Sequence, residues 1–69
     1  MKDYTVDELN HAINQWIRGR NALRNREIFR MSFIDGIPQE QIAEQFDMST
    51  RQIQNIIYAC QNQLFPHLK

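Results

Sequence analysis

Apolar residues recur every three or four positions in four segments of this chain, which is the period of an amphipathic α-helix. The segments are Val6 to Ile17, Leu23 to Ile34, Ile42 to Phe46 and Ile53 to Leu64. This pattern predicts helices near residues 6–18, 22–35, 38–46 and 50–64, and no strand. Two glycines and two prolines are too few for a turn-rich β fold. We therefore predict an all-α fold, a small bundle of three to four helices.

Residues that start and stop helices stand at the edges of the first two segments. Thr5 followed by Glu8 is the pattern of a capping box. Gly19 lies where the glycine that follows a helix C-terminus is expected. Either Asn21 or Asn25 can cap the second helix, so its start stays open between these two positions.

The length and the cysteine content narrow the class of protein. A chain of 69 residues forms one domain, and its single cysteine, Cys60, excludes an internal disulfide. A lone thiol fits the reducing cytoplasm, and residues 1–4 show no targeting peptide. No apolar run approaches the roughly 20 residues of a membrane span. We therefore expect a cytoplasmic protein.

The formal net charge is zero, but the charges are segregated along the chain. Residues 18–30 hold five arginines against one glutamate, and residues 35–47 hold four acidic residues and no base. No acidic residue follows Asp47. Zero net charge disfavours strong nonspecific binding to nucleic acid. The acid-free C-terminal third favours a contact with an anionic partner.

The segment between Gly36 and Tyr58 predicts a helix-turn-helix. Gly36 ends the second helix, Pro38 opens a short third helix, and Ser49 or Thr50 caps the fourth. Two helices that cross near a right angle need a small residue at the crossing and apolar residues around it. The residues that we expect to be buried there are Ile42, Ala43, Phe46, Ile53 and Ile57.

The exposed start of the fourth helix is then polar and free of acids. Its side chains can hydrogen-bond to a base edge or a phosphate: Ser49, Thr50, Arg51, Gln54, Asn55 and Tyr58. The free N–H groups of its first turn also attract a phosphate. The sequence therefore predicts a DNA-binding face on this helix.

Three stretches of the chain resemble region 4 of bacterial sigma factors: residues 24–36, RNREIFRMSFIDG; residues 41–44, QIAE; and residues 49–57, STRQIQNII. The resemblance covers about residues 23–65. It implies that the fourth helix recognises promoter-like double-stranded DNA in the major groove, that Arg24, Arg26 and Arg30 contact the DNA backbone, and that RNA polymerase is a further partner. The DNA-recognition positions carried over are Ser49, Thr50, Arg51, Gln54 and Asn55.

The chain departs from the sigma pattern at three points. Asp47 stands at the turn position usually held by glycine, Pro38 replaces the usual Ser or Thr cap, and the recognition helix has a single arginine. Because no stretch of the sequence resembles region 2, we do not expect a complete sigma factor. The chain thus looks like a free-standing region 4, the kind of small regulator found in mobile elements and phage. We expect an N-terminal helix at 1–20 and a region 4-like part at 21–69.

A second function is compatible with the neutral charge, namely a protein-interaction module that binds RNA polymerase or another regulator without sequence-specific DNA contact. We also expect a homodimer, with the first helix at Trp16 and Ile17 and the tail from Leu64 to Leu68 as association surfaces. His11 and His67 lie too far apart to predict a metal site. The sequence assembles no nucleophile–base pair and no phosphate loop, so we expect neither an enzyme nor a cofactor.

Overall fold

The computed structural model describes residues 4–68 as four α-helices and a short 3₁₀ turn. The elements are α1 (Val6–Trp16), α2 (Ala22–Phe33), α3 (Gln39–Gln45), α4 (Thr50–Leu64) and the C-terminal turn (Phe65–His67). No residue between 4 and 68 is in a β-strand. The predicted all-α class and the four predicted helices are confirmed. Residues 1–3, where we expected no targeting peptide, lie outside the described part.

Local capping sets the start of α1. The backbone N–H of Glu8 donates to Oγ1 of Thr5 over 3.1 Å, and the backbone N–H of Thr5 donates to Oε1 of Glu8 over 2.9 Å. These two bonds are the predicted capping box, which gives partners to two backbone donors that a helix start leaves unpaired.

The end of α1 differs from the prediction by two residues. Ile17 leaves the helix in an extended conformation, with φ of −87° and ψ of 103°, and its side chain is fully buried. Burying this side chain stabilises the protein more than two further helical residues would. The helix α1 therefore ends at Trp16 and not at Arg18. Gly19 then reverses the chain with φ of 121°, a conformation that residues with a Cβ rarely adopt.

The core is shared by all four helices. Its buried residues are Ala12, Ile13, Ile17, Ile28, Phe29, Met31, Ile42, Ala43, Ile53, Ile57, Cys60 and Leu64. Burial at the helix crossing is confirmed for Ile42, Ala43, Ile53 and Ile57, while Phe46 is only half-buried. Because α1 contributes Ala12 and Ile13 to this core, and Ile17 follows directly after it, the first helix is part of the same packed unit as the helix-turn-helix.

Two residues of α2 expose more surface than the apolar pattern indicates. Leu23 is 81% exposed and Phe33 is 41% exposed. Leu23 and Ile28 are five positions apart, which is about 140° around a helix, so they cannot share one face. Asn21 precedes α2, which settles the start that the sequence left open, although its side chain makes no capping bond.

The C-terminal turn folds back onto α1. The imidazole of His67 stacks on the indole of Trp16, with ring centroids 3.6 Å apart and planes 4° apart. Ile17 and Leu64, which we expected to form part of an association surface, have no exposed area in the protomer. In residues 4–68, no helix is both long and apolar enough to span a membrane.

Candidate nucleic-acid interface

The turn between α3 and α4 has the hydrogen bonds of a Schellman motif. The N–H of Met48 donates to the carbonyl of Ala43 over 2.9 Å, and the N–H of Asp47 donates to that of Glu44 over 3.3 Å. Asp47 has φ of 55°, so an aspartate takes the left-handed position of this motif. This tight turn fixes the direction in which α4 leaves α3.

A capping box starts α4. The backbone N–H of Gln52 donates to Oγ of Ser49 over 3.1 Å, and the N–H of Ser49 donates to Oε1 of Gln52 over 2.9 Å. Ser49 is therefore the cap that the sequence left open between Ser49 and Thr50. Its hydroxyl accepts within the helix and keeps its own proton to donate to a ligand. Sequence reasoning missed the role of Gln52, although Ser followed by Gln three residues later is the capping-box pattern.

The side of α4 opposite the core carries a polar stripe. The helix buries Ile53, Ile57, Cys60 and Leu64. The exposed residues half a turn away follow the same spacing of three or four positions and form the outward stripe, which consists of Arg51, Asn55, Tyr58 and Asn62. Thr50 and Gln54 are exposed on its flank. Asn62 was missed by the sequence analysis, and its helical spacing from Tyr58 is the signal that identifies it.

The side chains of this face have no partners within the described residues. Among the hydrogen bonds formed within residues 4–68, none involves the side chain of Arg51, Gln54, Asn55 or Tyr58. Tyr58 is 59% exposed, although it is aromatic. The face thus presents a guanidinium, amides and a phenol whose hydrogen-bonding groups are unused by the rest of residues 4–68.

The exposed charges near this face are positive on α4 and negative on α3 and the turn. Arg51 is the only charged residue of α4. On α3 and in the turn, the acidic residues Glu40, Glu44 and Asp47 are all exposed. An anionic ligand is therefore attracted to the N-terminal half of α4 and repelled by the exposed side of α3.

The three arginines of α2 that we predicted to contact DNA occupy two environments. Arg24 is exposed, and its Nε donates to Oδ1 of the adjacent Asn25 over 3.2 Å. Arg26 and Arg30 are half-buried. Nε of Arg26 donates to the carbonyl of Ile17 over 2.8 Å. The internal bonds of both half-buried arginines favour a structural role, and their contact with phosphate stays a prediction.

Arg30 joins α2 to α1. Its Nε donates to Oδ1 of Asn10 over 2.7 Å, and its Nη2 donates to Oδ1 of Asn14. The two asparagines are one helical turn apart, so a single guanidinium bonds to both. Within residues 4–68, the hydrogen-bond partners of this guanidinium are the neutral amides of these two asparagines.

The single thiol lies inside the protein. Cys60 is 1% exposed, and its Sγ donates to the carbonyl of Asn25 over 3.8 Å. Burial raises the pKa of Cys60 from 9.0 to about 11, because the thiolate loses its hydration in the core. The thiol is therefore protonated at neutral pH and acts as a small apolar side chain.

The family profile of sigma-70, region 4 matches residues 22–59, more than half of the chain. The match begins at the first residue of α2 and ends within α4, so it includes the turn and the first three members of the outward stripe. No curated protein and no solved structure matches the chain. Region 4 is a class of non-enzymatic, DNA-binding helix-turn-helix domains. The chain belongs to the sigma-70 region 4 family.

Proposed function

We propose that this protein is a transcriptional regulator that binds double-stranded DNA by inserting α4 into the major groove. The observation that carries the proposal is the outward stripe of Arg51, Asn55 and Tyr58, whose polar groups have no partner within the described residues. A helix fits the major groove, where each base pair presents its own pattern of donors and acceptors. α4 is thus the element suited to read a sequence.

Each exposed residue near the start of α4 has a role that follows from its chemistry. Arg51 can bond to O6 and N7 of a guanine or to a phosphate, and the amides of Gln54 and Asn55 suit N6 and N7 of an adenine. Ser49 and Thr50 lie at the positive end of the helix dipole, where a hydroxyl and free N–H groups bind a phosphate. These residues therefore follow one another along the helix axis, from phosphate contact at the N-terminus to base contact in the next turn.

Tyr58 and the arginines of α2 complete the proposed interface. Tyr58 lies about two turns beyond Arg51 on the same stripe, and its phenol can donate to a phosphate. Arg24 is the arginine of α2 whose guanidinium is most accessible, so it is the first candidate for a backbone contact. Arg26 and Arg30 can reach phosphate only with the N–H groups that their internal bonds leave unused.

A protein-interaction module is the second candidate function. The observation that favours it is the exposed acidic surface formed by Glu40, Glu44 and Asp47, which lowers the attraction of the domain for DNA. In this alternative, RNA polymerase or another regulator binds the domain without sequence-specific DNA contact. The two functions differ in whether the side chains of α4 change the choice of DNA sequence.

A single helix-turn-helix offers little contact area, so specific binding calls for a second copy or a larger complex. We propose a homodimer as the form that recognises DNA. We also propose that residues 21–69 bind DNA and that residues 1–20 stabilise this DNA-binding part. The contact of Arg30 with Asn10 supports the stabilising role.

Selection of bound duplexes from a random pool tests the proposed function. The wild-type chain should enrich a short common motif, because base contacts in the major groove favour particular base pairs. The matched control is the Arg51→Ala, Asn55→Ala double variant, which leaves the core and both capping boxes intact. Enrichment of the same motif by this variant would reject base reading by α4. A wild-type pool without any motif would favour the protein-interaction module.

A further inference from the structure

The short turn between α1 and α2 carries two exposed arginines. Arg18 and Arg20 flank Gly19, and both side chains are exposed. Nε of Arg18 donates to the carbonyl of Gln15 over 2.7 Å, and its two Nη groups have no hydrogen-bond partner within residues 4–68. The side chain of Arg20 forms no hydrogen bond within the same part of the chain. We call the exposed surface of Arg18 and Arg20 the basic turn.

Hydrogen bonds from two helices hold the backbone of the basic turn in place. Nε of Arg26, on α2, donates to the carbonyl of Ile17 over 2.8 Å. Nε2 of Gln63, on α4, donates to the carbonyl of Arg18 over 3.3 Å. The first bond fixes the turn on α2, and the second locates it beside the C-terminal half of α4. The two guanidinium groups are therefore presented from a packed part of the domain.

The basic turn holds half of the exposed arginines of residues 4–68, which are Arg18, Arg20, Arg24 and Arg51. No acidic residue occurs in the sequence from residue 9 to residue 26, and the next one along the chain is Glu27. The formal net charge of the protein is zero, and Arg51 is the single arginine of α4. A surface that binds DNA therefore needs positive charge from outside α4, and the basic turn provides it.

The length of α4 brings the basic turn close to the DNA backbone. The helix has 15 residues and is about 22 Å long, whereas the major groove is about 12 Å wide. A helix that contacts bases with its N-terminal residues therefore extends with its C-terminal half to the phosphates at the edge of the groove. Gln63, which bonds to the basic turn, is twelve residues from Arg51, or about 18 Å along the axis.

We propose that Arg18 and Arg20 bind phosphates of the same duplex whose bases α4 contacts. The inference rests on the proposed function, because α4 in the major groove is what brings the basic turn to the backbone. A guanidinium is planar and donates two parallel bonds to a phosphate. Both arginines precede the region 4 segment at 22–59. Residues 1–20 then contact DNA in addition to stabilising the domain.

The salt dependence of binding to the motif duplex and to a scrambled duplex tests the proposal. Arg18→Gln and Arg20→Gln should each lower the slope of log affinity against log salt by about one on both duplexes, because one phosphate contact is lost. The preference for the motif should not change. His11→Glu is the matched control, because it lowers the formal net charge by one at an exposed position of α1 and should keep the wild-type slope. Circular dichroism melts establish that all three variants fold.

Ethylation of single phosphates of the motif duplex gives the position of the contact. Ethylation at one edge of the motif should weaken the wild-type chain and have no effect on the Arg18→Gln, Arg20→Gln double variant. With a rise of about 3.4 Å per base pair, the 18 Å along α4 put these phosphates within about five base pairs of those that Arg51 contacts. The same interference pattern in the wild type and the double variant would overturn the proposal.

The outcomes separate the basic turn from the proposed function. Unchanged slopes in both arginine variants, with a motif that the wild type still prefers, would overturn the phosphate contact while base reading by α4 stands. Lowered slopes in a chain that binds every duplex alike would support the phosphate contact and reject base reading. Unchanged slopes together with binding of poly-glutamate that the two variants lose would overturn the DNA contact in favour of an acidic protein partner.

Discussion

The backbone N–H of Met48 donates to the carbonyl of Ala43 over 2.9 Å, across the turn that joins α3 to α4. Met48 is half-buried and Ala43 is buried at the helix crossing, so the bond ties the turn to the core. This bond and the left-handed Asp47 between its partners set the angle at which α4 leaves α3. The outward stripe depends on that angle for its position.

Asp47→Gly should stabilise the protein. Asp47 has φ of 55°, a conformation that costs a residue with a Cβ free energy and costs glycine none. Glycine also has more conformational freedom in the unfolded chain, which offsets part of this benefit. We therefore expect the free energy of unfolding to rise by about 0.5 kcal/mol. Urea unfolding measures the change. Asp47→Val is the control and should destabilise the domain, and a more stable valine variant would contradict the strained turn.

Ala43→Glu should unfold the domain or cost several kcal/mol of stability, because it forces an unpaired carboxylate into the helix crossing. Ala43 is 5% exposed, so the added side chain has no route to water. Gln45→Glu adds the same charge at an exposed position of α3 and should change the stability by no more than about 0.5 kcal/mol. Similar thermal melts of the two variants would contradict the close packing at the crossing.

Local signals in the sequence were enough to predict most of the fold. The capping residues Thr5 and Ser49 and the stop signal Gly36 act on their neighbours in the chain, so they can be recognised without tertiary structure. The end of α1 could not be predicted, because Ile17 leaves the helix to bury its side chain against other elements. The contact of Arg26 with the carbonyl of Ile17 was missed for the same reason.

The candidate site was predictable to the extent that helical periodicity determines it. The period put Arg51 and Asn55 on an exposed face once the core positions of α4 were known. The sequence grouped Arg30 with Arg24 because both are arginines of one basic segment. Only the packing of α1 against α2 distinguishes them, since it brings Asn10 to the Nε of Arg30.

Arg30→Met should destabilise the protein by about 1–2 kcal/mol, because it leaves Oδ1 of Asn10 and of Asn14 without the donor that joins α2 to α1. Arg24→Met is the matched variant on the same helix and should change the stability by no more than about 0.5 kcal/mol. Chemical denaturation compares them. Equal stabilities of the two variants would show that the contact between Arg30 and the asparagines does not stabilise the protein in solution.

The same pair of variants separates structural from DNA-contacting arginines. Arg24→Met should weaken binding to all duplexes alike and lower the slope of log affinity against log salt by about one, because one phosphate contact is lost. Arg30→Met, measured where it is folded, should change the slope less. If Arg30→Met lowers the slope by about one and Arg24→Met leaves it unchanged, the roles of the two arginines are reversed.

Cys60 should react slowly with a thiol reagent in the folded protein. Its pKa of about 11, against 9.0 for the free side chain, leaves about a hundredfold less thiolate at pH 8. The raised pKa also predicts that the free energy of unfolding falls as the pH rises from 9 to 11, because the unfolded chain releases this proton first. Cys60→Ala removes this part of the pH dependence. Rapid labelling of the folded wild type would contradict the burial.

Fluorescence anisotropy on two duplexes, one with the selected motif and one with its base pairs scrambled, tests base reading by α4 most directly. Asn55→Ala and Gln54→Ala should each lose about 1–3 kcal/mol of binding free energy on the motif and little on the scrambled duplex. Gln63→Ala, an exposed amide of α4 beyond the outward stripe, is the control and should bind both duplexes as wild type does. Equal losses on both duplexes, or no binding to either at low salt, would contradict the account.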